Sequence, residues 1–270
     1  MVTKRAYVDT PYGQMHYRHA GEGSPLLLLH QTATSSEFFE PLIPYLAKSY
    51  RVLAPDTPGF GMSDRPPHQF SVADYARCFV DFMDATSVPK ASIFGHHTGA
   101  TFACELAGAY PEKVDKLVFH GTPYWEDLAQ GPLARAHRME FGEDGHHLMV
   151  VWEGLRASLE RSGSMRSLTD DPWKLLHKEA TWKFMAGDRW HEAYEAMAQY
   201  DIMARLSLIQ APTLVASCEH DGLLGTVEPV AARLKRARTH VGPGGSLLLT
   251  YEDPEALARL ILDFLADPGV

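Results

Sequence analysis

A chain of 270 residues that is 45% hydrophobic and 22% charged has the makeup of an ordinary globular protein and the length to bury a sizeable core in one domain. Its formal net charge of -9 argues against a polyanion-binding surface and so against nucleic acid as a partner. No window approaches the roughly 18 to 20 apolar residues of a membrane span, and the start Met1-Val2-Thr3-Lys4-Arg5 lacks an apolar signal segment, so no membrane contact and a cytoplasmic location are expected.

In chain order, Lys4 to Asp9 and Gln14 to His19 read as a hairpin around the turn Pro11-Tyr12-Gly13. Pro25 to His30 is a continuous apolar run, as in a strand buried on both faces, and Arg51 to Asp56 and Ala91 to Phe94 read likewise. Between them, Glu37 to Lys48, Val72 to Thr86 and Thr98 to Tyr110 carry apolar residues at helical spacing. A strand over Lys116 to His120 closes this first half. Residues 123–205 then read as helical throughout and rich in Trp, Met, His and Arg. Alternation resumes with a strand at Pro212 to Ser217, a helix at Val227 to Leu234, a strand at Arg238 to Val241 and a helix at Pro254 to Leu265. The implied architecture is α/β, a mostly parallel sheet with helices on both faces. Residues 1–122 and 206–270 form its core, and 123–205 form an inserted helical cap.

Cys78, Cys104 and Cys218 have no CxxC spacing and read as reduced packing residues. Adjacent pairs such as His96-His97 and His146-His147 cannot converge on one ion, so no metal is expected.

The strongest local signal is Ile93-Phe94-Gly95-His96-His97-Thr98-Gly99-Ala100. A buried strand here enters a helix through a turn with glycines two residues on either side of position 97, the spacing of a nucleophile elbow. Around it stand Leu28-Leu29-His30-Gln31, the loop Asp56-Thr57-Pro58-Gly59-Phe60-Gly61-Met62-Ser63-Asp64, the segment Glu219-His220-Asp221, and Pro243-Gly244-Gly245 ahead of Glu252-Asp253-Pro254-Glu255. With these motifs in this order, the chain resembles the α/β-hydrolase family over nearly its whole length.

The resemblance implies a nucleophile at 97, a triad acid at Asp221, and an oxyanion hole made by the backbone N–H groups of Gln31 and Thr98. Two departures stand out. The elbow residue is His97 where the family usually has Ser, and Ser246 stands where the family has its catalytic His and is carried with His97 and Asp221 as a catalytic candidate. The relay of that family cannot run unchanged. His97 is therefore expected to reach toward Asp221 or Ser246 and to act as general base or nucleophile. His30 and His120 are carried as candidate site residues beside the oxyanion loop and at a strand end. Tyr124 and Trp125 open the aromatic-rich cap and are candidates for an apolar substrate pocket.

The reading that follows is a cofactor-independent enzyme acting on a small apolar carbonyl compound, such as an ester, lactone or diketone. Lyase or isomerase chemistry on the same scaffold, and a non-catalytic small-molecule binder, stay open beside it. The expected partner is a small-molecule substrate, with a homodimer left open.

Overall fold

The computed structural model describes residues 2–124, 138–161 and 171–270. Eight strands make one sheet: β1 (Lys4–Thr10), β2 (Gly13–Ala20), β3 (Pro25–Leu29), β4 (Arg51–Pro55), β5 (Ala91–His96), β6 (Val114–His120), β7 (Thr213–Cys218) and β8 (Ala237–Gly242). They run in the order β1-β2-β4-β3-β5-β6-β7-β8. The β1–β2 and β2–β4 pairs are antiparallel, and every later pair is parallel.

Successive side chains of a strand point to opposite faces, and the apolar runs serve two cores at once. Leu27, Leu29, Leu53, Ile93, Leu117, Phe119 and Val215 enter one cluster. There they meet α2 (Val72–Ala85) and α3 (Thr98–Ala109), through residues such as Phe79, Phe82 and Phe102. Leu26, Leu28, Val52, Ala54, Phe94, Val118, Leu214 and Ala216 enter the other, with Ile261 and Phe264 of the last helix, α10 (Pro254–Ala266). This two-faced burial is why those segments read as unbroken apolar runs.

The expected single helix over residues 37–48 does not form. The segment splits into a 3-10 turn at Ser36–Phe39 and the four-residue α1 (Ile43–Leu46). Pro41 and Pro44 lie inside the run, and a proline has no N–H for the helical ladder and clashes with the preceding turn. The helix expected over 227–234 is likewise shortened to α8 (Val227–Ala231).

Between β6 and β7 lie α4 (His146–Arg161), α5 (Pro172–Ala186), α6 (Glu192–Ala198) and α7 (Ile202–Leu206). No strand interrupts this insert among the described residues. It is stitched to the core where Trp182 Nε1 donates to Glu37 Oε2 at 3.2 Å and Tyr194 Oη donates to the Thr32 carbonyl at 3.0 Å. No helix among the described residues is long and apolar enough to cross a membrane.

The loop after β4 is organised by one buried carboxylate. Asp56 Oδ2 meets His16 Nδ1 at 2.8 Å and accepts from the Met62 N–H at 2.8 Å, while Oδ1 accepts from the Ser36 N–H at 2.6 Å. Gly61 is required beside it, because a Cβ there would stand 2.2 Å from Asp56 Oδ2. Burial works to raise the Asp56 pKa, but the His16 bond, the nearby His30 and the two N–H donors outweigh it and hold the carboxyl below its ordinary value. A depressed folded pKa gives stability that is fully present above the unfolded carboxyl value of about 3.9 and drains away as the pH falls. The isosteric Asp56→Asn is accordingly expected to cost roughly 2 to 4 kcal/mol in urea unfolding at neutral pH. The penalty should shrink below about pH 4; a penalty independent of pH would contradict this assignment.

Candidate active site

The elbow is built by close approach of backbones. His97 sits at φ +49°, ψ -115°, a conformation that L residues adopt only when their surroundings impose it. Both glycines beside it are obligatory. A Cβ on Gly99 would lie 2.1 Å from the Leu29 carbonyl oxygen, and one on Gly95 would lie 2.7 Å from Ala100 Cα. The His97 N–H is pinned to the His120 carbonyl at 2.9 Å. The turn is thus held between β3, β5 and β6, and α3 starts at Thr98 with its first N–H groups lacking intrahelical acceptors.

From this turn the His97 ring reaches Asp221, with Nε2 2.9 Å from Oδ2. Asp221 follows β7 and is fixed on its other side by the Leu223 N–H, which donates to Oδ1 at 2.9 Å. Burial would raise its pKa, but His97, then His120 and the Leu223 N–H, overcome that and drive it far below the ordinary carboxylate range. An ionised carboxylate only accepts. The shared proton therefore resides on Nε2 of His97, which leaves the lone pair on Nδ1 whenever the ring is neutral. The side chain of His97 is 18% exposed and that of Asp221 fully buried.

Ser246 is bonded within its own loop. Its hydroxyl donates to Glu252 Oε1 at 2.8 Å, its N–H donates to Glu252 Oε2 at 2.7 Å, and its Oγ accepts from the Leu248 N–H at 3.1 Å. These bonds close the turn entering α9 (Leu249–Glu252). The ring that meets the acid comes from the elbow, and the serine organises the loop.

His30 is occupied on both nitrogens. The Thr57 N–H donates to Nε2 at 2.9 Å, so Nδ1 carries the proton and donates to the Gln31 carbonyl at 2.8 Å. Burial depresses its pKa and keeps it neutral. It ties the loop carrying Gln31 to the loop after β4. The Gln31 carbonyl also accepts from the Thr34 N–H at 3.0 Å and the Thr34 hydroxyl at 2.8 Å, and the Thr32 N–H reaches Thr98 Oγ1 at 3.3 Å. The loop carrying Gln31 is thereby locked against the start of α3.

Behind the dyad lie two further imidazoles. His96 is stacked on Phe38 with centroids 5.2 Å apart, and its Nε2 donates to the Leu247 carbonyl at 2.9 Å. His120 Nε2 contacts Cys218 Sγ at 3.4 Å. Burial holds His96 well below its usual pKa and pushes His120 down to about 4, so both stay neutral beside Asp221. Tyr124 is half-buried against the α2/α3 core, and Trp125 lies outside the described residues. His220 is exposed beside buried Asp221. Among the described residues no three His, Cys, Asp or Glu side chains converge as a metal site would require.

Two site residues escape the sequence reading. Tyr194, whose hydroxyl holds the Thr32 carbonyl, gives no local signal, because the contact spans 162 positions. Gly121 does give one, as a glycine directly after a buried strand. At φ +65°, a Cβ on it would lie 2.5 Å from His97 Nε2 and 2.8 Å from Asp221 Oδ2. Its missing side chain is the space in which the dyad forms. Gly121→Ala is expected to cost roughly 2 to 4 kcal/mol in urea unfolding through overpacking and positive φ. About half should be recovered when the ring is removed by His97→Ala; an equal cost in both backgrounds would show that the clash lies elsewhere.

Comparison with known proteins places this geometry. The chain is 27% identical over 272 residues to 2-hydroxy-6-oxo-6-phenylhexa-2,4-dienoate hydrolase of Burkholderia cepacia, covering 94% of this chain and 92% of the relative. A shorter match, 34% identical over 102 residues, joins it to an uncharacterized protein of Mycobacterium tuberculosis, covering 38% of this chain and only 30% of that relative's length. Among solved structures, a hydrolase from Pseudomonas aeruginosa PA01 superposes with a TM-score of 0.78 at 23% identity, covering 97% of this chain and 98% of the other, which shows a common fold. The alpha/beta hydrolase fold family matches over residues 24–249, and the chain belongs to that family.

Proposed function

We propose that this protein is an enzyme that uses His97 as general base on a small, largely apolar carbonyl compound held at the N–H groups of Gln31 and Thr98. The observation that carries the reading is the 2.9 Å bond from His97 Nε2 to Asp221 Oδ2, made from a backbone conformation in the positive-φ region. Strained backbone of this kind is kept where the surrounding structure imposes it and collects at functional sites. The bond leaves Nδ1 as the basic atom and gives the imidazolium that forms a buried counter-charge.

In hydrolysis, Nδ1 takes a proton from water as the water oxygen bonds to the carbonyl carbon. The carbonyl electron pair moves to oxygen, where the two N–H groups and the positive end of α3 receive the charge. Collapse of the tetrahedral intermediate expels the leaving group, which takes the proton back from the imidazolium. Asp221 orients the ring and stays ionised throughout, as the acid of a hydrolytic triad does. The Burkholderia relative, named for hydrolysing a 6-oxo compound, supports a carbonyl substrate. The helical insert serves in this reading as the cap over the pocket, with Tyr194 joining it to the oxyanion loop.

Wild-type protein is expected to hydrolyse an activated ester such as 4-nitrophenyl butyrate. His97→Ala and Asp221→Asn should each lower kcat/KM by roughly 10²- to 10⁴-fold, with Ser246→Ala much milder. Full activity in His97→Ala, or none in the wild type toward esters, lactones and diketones alike, would defeat the reading.

A further inference from the structure

The sheet has two free edges, β1 and β8. β1 pairs with β2 through seven successive positions without a bulge and contains no proline, so it lacks two of the devices that keep an edge from pairing further. Which of its backbone groups are free follows from its neighbour. The Gln14 N–H donates to Asp64 Oδ2 at 2.8 Å, and its carbonyl accepts from the Asp64 N–H at 2.9 Å. The His16 N–H donates to Ser63 Oγ at 3.0 Å, and its carbonyl accepts from the Asp56 N–H at 2.8 Å. These bonds all point away from β1. Bonded and non-bonded pairs alternate along an antiparallel ladder. The residues opposite His16 and Gln14, which are Tyr7 and Asp9, therefore direct their own N–H and C=O groups toward the open edge, and by the same alternation so does Arg5.

The side chains of these three residues share one face of the strand. Arg5 and Asp9 are exposed, and Tyr7, its ring edge-to-face on His16 at 5.1 Å, is 50% exposed. Arg5 stands opposite Arg18 of β2, whose guanidinium is already paired with Glu37 and Glu40. Like charges across a ladder repel, and among the described residues Arg5 has no carboxylate partner. Asp9 uses only Oδ1, which accepts from Gln14 Nε2 at 2.9 Å.

We infer that β1 is an interface for a second copy of this chain, which adds antiparallel across a two-fold axis through Tyr7 and joins the two eight-stranded sheets edge to edge. In that register Tyr7 meets Tyr7 of the second copy, and Arg5 of each copy meets Asp9 of the other. All of these residues have outward backbone groups, so they exchange about six N–H to C=O bonds, with an opposite-charge pair at each end of the seam. The smallest slip that keeps outward groups facing each other is two residues. It sets Arg5 or Asp9 against Tyr7 and loses both charge pairs. The β8 edge offers no such match. It follows Lys235 and Arg236 and carries Arg238 and His240, so a second copy there sets basic side chains against one another. A contact of β1 with β8 does not close and propagates into open chains. Edge pairing covers less surface than the about 1,600 Å² of a stable interface, so the dimer is concentration-dependent.

The test is sedimentation velocity of the full chain from about 1 to 500 µM, across which wild type should pass from monomer to dimer. Arg5→Glu and Asp9→Arg each put like charges at both ends of the seam. Each should weaken association at least about tenfold, with the thermal midpoint held because both positions are exposed. An equimolar mixture of the two variants should dimerise as the wild type does, since every altered residue then faces an opposite charge. Both substitutions in one chain should do the same, which serves if either single variant folds poorly. A wild type monomeric at every concentration, dimers that persist unchanged in both single variants, a mixture that stays monomeric, or assemblies that grow past the dimer would overturn the inference.

Discussion

The site depends on the approach of α3 to the ends of β3 and β5, an approach only glycine allows. With a Cβ on Gly99 destined to fall 2.1 Å from the Leu29 carbonyl oxygen, any side chain would push the helix away and straighten the turn. Because the helix stays close, residue 97 is forced to positive φ, lifted off the sheet, and aimed at the loop after β7. The bond to Asp221 follows from that placement, and so does the contact of the Thr32 N–H with Thr98 Oγ1 at the start of α3. Gly121 completes the arrangement by leaving open the volume that the imidazole and carboxylate share.

Within this frame the roles of histidine and serine are redistributed. An imidazole on the elbow reaches Asp221 directly through Nε2, which makes the other nitrogen the reactive one in the proposed mechanism. The serine at 246 has been drawn into the loop by Glu252, where it accepts from Leu248 and donates to the carboxylate. Two neutral imidazoles, His96 and His120, flank the pair without competing for its proton, and His30 is neutral under the neighbouring loop. Burial disfavours their charged forms.

The strands and the elbow are legible in the sequence because their constraints are local. A run such as Leu26 to Leu29 can be satisfied only between two apolar faces, and glycines spaced around His97 at a strand end admit few backbones. What is not legible is set by chain segments far apart. The room in which His97 meets Asp221 depends on Gly121, 24 positions after the one and 100 before the other. The Ser246–Glu252 bond depends on the fold of a glycine-rich loop whose spacing says little. The helix expected over 37–48 fails for a readable reason, its two prolines, which apolar spacing alone overrides.

Catalysis by this pair turns, in the proposed mechanism, on the tautomer of His97. Proton–nitrogen correlation spectra of the imidazole rings, with His97 assigned by its disappearance in His97→Gln, read this directly above neutral pH. The account predicts a proton on Nε2, hydrogen-bonded to Asp221 and lost from that position in Asp221→Ala, with Nδ1 unprotonated. A proton resident on Nδ1, or a ring indifferent to the loss of Asp221, would contradict it.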